Sequence, residues 1–147
     1  MNSATRIMDE TKDYRGNSKA HRFVDLIVHQ PTPTAKTVSA TLTGAELLSK
    51  IITVNQGAGA ASALQLPTVA DLEAALPKGF QNQDAFEFTL INISTVDAED
   101  ASITTNTGWT LVGDMTVPAR SANGSLNTSG RFAAVRTSST AWVLYRV

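Results

Sequence analysis

Cysteine is absent from this 147-residue chain, which removes disulfides, thiolate zinc sites and cysteine nucleophiles at once. Charge is scarce: Asp, Glu, Lys and Arg supply 17% of the residues, below the usual quarter of a soluble domain. The formal net charge of −1 offers no basic stripe for nucleic acid. No run approaches the ~18 consecutive apolar residues that cross a bilayer. The segment Met1–Arg6 lacks the apolar stretch of a signal peptide, so the expectation is a chain made in a cytoplasm and soluble there, with no membrane partner. The two histidines, His21 and His29, lie close together near one end and have no third ligand in evidence. No metal or cofactor is expected.

What the chain does hold is a hydrophobic share of 42%, enough for one core, and aromatic residues placed mostly in short segments of β character. Residues 86–93, 130–136 and 141–147 read as short apolar strands, and turn residues separate them. The expected fold is mainly β: a compact antiparallel β-sandwich or barrel, jelly-roll-like, with one or two short helices. Thr43 and Glu46 have the spacing of a capping box and open the first helix. Thr68 caps a second, in which Val69, Leu72 and Leu76 form one apolar face, and Pro77 and Gly79 end it. Residues 1–40 differ in kind. Mixed charge, few apolar anchors and the sequence Gln30-Pro31-Thr32-Pro33-Thr34 predict an extended N-terminal arm and linker, with the globular domain at 41–147.

Sequence motifs for catalysis are weak. The cluster Asp97-Ala98-Glu99-Asp100 lacks the spacing of a calcium loop and reads as a solvated turn. Gly57-Ala58-Gly59-Ala60-Ala61 follows a strand but opens no capped helix, so it reads as a flexible connection and not a phosphate cradle. Ser125 and Ser129 flank glycines without a histidine in the same region. Glu87 and Asp114 would have to converge to act as a glycosidase pair, and nothing in the sequence brings them together. No catalytic residue is assigned, and the chain is not expected to be an enzyme. Arg131, Arg136 and Arg146 lie in or near the terminal strands beside Phe132, Trp142 and Tyr145, residue types enriched at interfaces. The arginines read either as surface residues that favour solubility or as an oligomer contact; on the second reading Arg131, Arg136, Trp142 and Tyr145 are the expected subunit contacts.

The stretches Leu42-Thr43-Gly44-Ala45-Glu46-Leu47-Leu48, Ile51–Val54, Leu64–Thr68, Phe86–Asn92 and Trp109–Gly113, with the ending Trp142–Val147, resemble a small β-domain of tailed-bacteriophage virion proteins. Capsid decoration (cement) proteins and the heads of short fibres have this order of pieces, and the likeness runs from about residue 41 to the C-terminus. The resemblance implies a homotrimer on the outer surface of a virion, with the major capsid protein as partner. It further implies that the N-terminal segment ties the trimer to the shell. The apolar run Phe23, Val24, Leu26, Ile27 and Val28 is then the shell anchor. The alternative within the same resemblance is a tail fibre or baseplate component that binds a host surface glycan or protein, with Trp109 as the expected contact.

Overall fold

The computed structural model describes residues 30–120 and 128–147, and the expected anchor Phe23–Val28, both histidines and Ser125 lie outside them. The protein is mainly β. In chain order the elements are β1 (Thr34–Lys36), β2 (Ala40–Thr41), α1 (Gly44–Leu48), β3 (Ile51–Val54), β4 (Ser62–Gln65), α2 (Val69–Ala75), β5 (Ala85–Asn92), β6 (Ala101–Thr104), β7 (Trp109–Val112), β8 (Thr116–Val117), β9 (Ser129–Ser138) and β10 (Ala141–Arg146). They form a six-stranded sheet, ordered β1-β3-β5-β9-β10-β7, and a four-stranded sheet, ordered β2-β4-β6-β8.

The wholly antiparallel expectation does not hold. From β1 to β7 the chain changes sheets after every strand and re-enters each sheet from the same end; β8 joins the smaller sheet reversed. β1, β3 and β5 are consequently parallel in the larger sheet, and β2, β4 and β6 are parallel in the smaller. Antiparallel pairing is confined to β5–β9, β9–β10 and β6–β8, while β10 pairs parallel with β7. Nor is the stretch from Pro31 to Ala40 only a linker. β1 pairs with β3 through Thr34, Ala35 and Lys36, and β2 starts at Ala40. The compact unit accordingly begins at Pro31 and not at residue 41.

Both helices form where the capping signals place them. Thr43 Oγ1 accepts the Glu46 amide hydrogen at 3.2 Å while Glu46 Oε2 accepts that of Thr43 at 2.8 Å. At α2, Thr68 Oγ1 accepts the Asp71 amide hydrogen at 3.2 Å. Val69 and Leu72 turn inward from α2, and the sheets contribute Ile52, Leu64, Leu90, Ile103 and Leu144 to the same core. Strand alternation places the aromatic rings in that core. Phe88 and Phe132 are register partners and stack at 5.4 Å. Trp142 meets Phe80 and Phe86 at 5.7 Å each and its register partner Trp109 at 6.0 Å.

The turn into β7 has no room for a side chain. Gly108 has φ +89°, and a Cβ there would lie 2.6 Å from a Val69 methyl and 2.7 Å from the Thr140 carbonyl oxygen. Left-handed backbone and overpacking add, so Gly108→Ala is expected to cost about 2–4 kcal/mol. At Gly79 (φ +97°) a Cβ would meet nothing within 4 Å, and Gly79→Ala should cost only about 1–2 kcal/mol. Urea unfolding of the two variants, followed by tryptophan emission, checks this ordering, and equal losses would refute it.

Candidate functional site

The outward side of the larger sheet follows from register and alternation. Val112, Tyr145, Ala133 and Glu87 form one row across β7, β10, β9 and β5, and Thr110, Val143, Val135 and Ala85 form the next. Tyr145 is 39% exposed and Val112 44%, with Val143, Val135 and Ala133 half-buried beside them. Charge enters these rows through Glu87, which accepts a two-pronged hydrogen bond from Arg131 on the neighbouring β9, 2.9 Å at Nε with a shorter one at Nη2. Both partners of that pair are well exposed, so it adds little stability. The result is an open, mostly uncharged sheet face. A second exposed apolar group sits where the chain crosses between sheets: Val38 after β1, and Ile93 and Val96 after β5.

The four expected subunit contacts therefore divide. Tyr145 and Arg131 lie on the open face. Trp142 lies inside the fold, 1% exposed, and Arg136 is engaged within its own chain. Arg136 Nε donates to Glu73 Oε1 at 2.8 Å and Nη2 donates to Oε2 at 3.2 Å; Trp142 Nε1 donates to the same Oε1 at 2.7 Å. Asn82 takes a further donor from Arg136 at 2.9 Å. One carboxylate on α2 thus collects an arginine and a tryptophan from the terminal hairpin. The Arg136 hydrogen bonds, with a smaller part from Trp142, hold Glu73 below the ordinary glutamate value of 4.5. Arg146 takes a different course, donating to the Thr116 and Ser129 carbonyl oxygens at 3.3 Å each and lying 5.0 Å over the Phe132 ring.

The acidic cluster and the glycine loop, read separately in the sequence as solvated and flexible, meet. Glu99 is 2% exposed. Its Oε1 accepts the Gly59 amide hydrogen at 2.6 Å, and its Oε2 accepts that of Gly57 at 3.1 Å and the Ser94 hydroxyl hydrogen. Gly57 and Gly59 reach this geometry at φ +63° and +68°. Beside it, the buried Asn92 donates to the carbonyl oxygens of Glu99 (2.7 Å) and Val117 (3.2 Å) and accepts the Ser94 amide hydrogen at 3.1 Å. Burial of Glu99 was missed because three acids in a turn look like solvent-facing residues. The available signal was the glycine loop, whose clustered amide hydrogens require an acceptor.

The candidate carboxylates do not converge. Glu87 lies on β5, and Asp114, which accepts the Thr116 amide hydrogen at 2.9 Å, follows β7. β9 and β10 separate those strands by about 14 Å, wider than the ~5–9.5 Å of a glycosidase pair. An open groove of about 600 Å³ runs past Leu42, Gly44, Pro67 and Asn106, and its one carboxylate, Asp71, accepts from Thr68 Oγ1 at 2.6 Å. Among the described residues no group of three or more His, Cys, Asp or Glu side chains is placed to hold a metal ion. No helix among them is long and apolar enough to cross a membrane. Trp109, the expected glycan contact, is 8% exposed and donates from Nε1 to the Pro67 carbonyl oxygen at 2.8 Å. Comparison with protein-family models, with curated proteins and with solved structures gives no match.

The Glu73–Arg136 pair gives a measurable consequence. A double-mutant cycle with Glu73→Ala and Arg136→Ala should return a coupling of about 1–3 kcal/mol at pH 7. Glu73 has a depressed value in the folded protein, so its contribution is present above the unfolded value of 4.5 and disappears as pH falls through the folded one. The coupling should shrink toward zero as pH falls below that folded value. A coupling that is pH-independent would show that Arg136 acts through packing alone.

Proposed function

We propose that this chain is a structural virion protein: a phage head decoration protein that binds the outer capsid surface and stabilises contacts between major capsid proteins. In this reading the two sheets are the layers of a compact β-sandwich, the chain assembles as a homotrimer, and the N-terminal segment anchors it to the shell through Phe23, Val24, Leu26, Ile27 and Val28. The observation that carries the reading is the open face of the larger sheet, where Tyr145 and Val112 stand exposed among half-buried Val143, Val135 and Ala133. A face of this kind is suited to covering by another protein. The exposed Val38, Ile93 and Val96 add apolar surface on a second side. The fibre reading loses its expected contact, because the Trp109 indole is enclosed and hydrogen-bonded.

Two measurements test the proposal. Quantitative mass spectrometry of virions carrying this chain should return a fixed simple ratio to the major capsid protein. A few copies per particle would place the protein in the tail and favour host recognition. A chain beginning at Pro31 keeps β1 to β10, and it should remain folded and trimeric by sedimentation while losing attachment to the shell. Retained attachment would remove the anchor role of residues 1–30.

A further inference from the structure

We propose that Glu99 is an acid-sensitive latch. It ties the β3–β4 crossing, residues 55–61, to the β5–β6 crossing, residues 93–100, and on protonation it releases the first crossing while both sheets stay paired.

The argument starts from acceptor count. Ionised, the two oxygens of Glu99 serve the Gly57 and Gly59 amide hydrogens and the Ser94 hydroxyl. A proton on either oxygen turns an acceptor into a donor that faces a donor. At Oε1 it opposes the Gly59 amide hydrogen. At Oε2 it opposes that of Gly57 unless Ser94 reverses to accept it. Ser94 already accepts the Val96 amide hydrogen at 3.1 Å, so reversal leaves the hydroxyl hydrogen of Ser94 without its present acceptor. A donor left unpaired in this buried site is costly, and the lowest-cost remedy is to open the loop to water.

The release is one-sided because the two crossings are held differently. Residues 93–100 keep bonds that do not titrate: Asn92 to the Glu99 carbonyl, Ile93 N–H to Val54 O at 2.9 Å, and Arg120 N–H to Ser94 O at 2.8 Å. The glycine loop is tied elsewhere at its ends, by Asn55 N–H to Lys36 O at 3.0 Å, by Ser39 Oγ to Gln56 Oε1 at 3.4 Å and, where β4 begins, by Ser62 N–H to Asp100 O at 2.8 Å, which leaves its middle, Gly57 to Gly59, to Glu99. The strand ladders involve none of the Glu99 atoms that titrate.

Among the described residues the charged groups around the latch are few. Residues 55–61 contain none. On the Glu99 crossing, Asp97 is exposed, and Asp100 Oδ1 accepts the Ala119 amide hydrogen at 2.9 Å. After β8, Arg120 is exposed. At the end of β1, Lys36 is bound to Glu46 at 2.5 Å. Ser62, which opens β4 and donates its amide hydrogen to Asp100 O at 2.8 Å, is uncharged. Neutral donors therefore set the release point. The Ser94 hydroxyl first, then Gly59, with Gly57 and Ala58 adding, hold Glu99 below 4.5 against the opposing effect of burial. A depressed folded value means that the latch is closed above 4.5 and opens as pH falls through the folded value.

Amide hydrogen exchange of the full chain by NMR, corrected for intrinsic rates, tests the proposal. As pH falls from 7 through the Glu99 carboxyl titration, followed by ¹³C NMR, the protection of Gly57 and Gly59 should fall about tenfold or more, while Ile103, whose amide is bonded to Met115 O, keeps its own. Glu99→Gln should lack that protection already at pH 7 and show no pH dependence. Ser94→Ala, which removes the largest stabilising donor, should move the release to higher pH. Unchanged protection across the range, loss of Gly59 and Ile103 together, or wild-type pH dependence in Glu99→Gln would each overturn the latch. If Glu99→Gln does not fold, the wild-type ¹³C carboxyl titration of Glu99 decides. It must coincide with the loss of Gly59 protection, and a mismatch refutes the proposal.

Discussion

Because the chain changes sheets after each of its first eight strands, the ladders of both sheets depend on crossings that hold position. A hairpin fixes its partner strand through a short turn, whereas a parallel neighbour arrives only after a complete circuit. β1, β3 and β5 can stay in register only if the connections leaving Lys36, Val54 and Asn92 stay side by side. Those three residues are register partners, so the crossings start as neighbours. The Asn55-to-Lys36 and Ile93-to-Val54 amide bonds continue the ladder one residue past the strands before the chain turns away.

Where the chain turns away, backbone groups lose their ladder partners, and polar side chains replace them. Asn92 is the first such group. It sits at the end of β5, 1% exposed, where alternation calls for an apolar residue, and it bridges the β5–β6 crossing to β8. Glu99 is the second, and it supplies the acceptors that the glycine loop cannot find in either sheet. Earlier in the sequence Glu73 does similar work for α2, joining a short helix to Arg136 and Trp142 of the terminal hairpin. Seven residues make a marginal helix, so α2 depends on its apolar face and this carboxylate more than on its own propensity. Each of the three polar groups makes more than one bond across distant segments, which a lipophilic side chain of similar size would not reproduce.

These relationships separate what the sequence discloses from what it conceals. Caps are local, so Thr43, Glu46 and Thr68 announced both helices. Alternation is local too, and it placed Phe88, Phe132 and Trp142 in strands. Strand direction is not local. A four-residue run such as Ile51–Val54 reads the same whether its neighbour is parallel or antiparallel, and the circuit through the other sheet leaves no mark on it. Edge strands are equally hard to see: Thr34–Lys36 lies next to two prolines, and only its pairing with β3 reveals it. Trp142 was legible as an aromatic strand residue, but not which side of the sheet it faces, which turns an expected surface contact into a core residue. Glu99 was illegible because burial of a carboxylate depends on donors 40 and 42 residues away.

The position of β1 constrains how an anchored domain would carry load. Among the described strands it is one of the two edges of the larger sheet and the first after residue 30, so tension on the preceding chain enters the fold there. Three register pairs to β3 are a short ladder for that task, and the adjoining side chains reinforce it. Lys36 reaches Glu46 of α1 at 2.5 Å, and Thr34 Oγ1 donates to Ser49 Oγ at 3.2 Å just beyond the same helix. Glu46 is also half of the α1 capping box. Strand and helix N-terminus therefore share one carboxylate, and displacing β1 would remove a partner from α1 as well. A force applied at residue 30 would be spread over β1, its neighbour β3 and α1 before it reached the core.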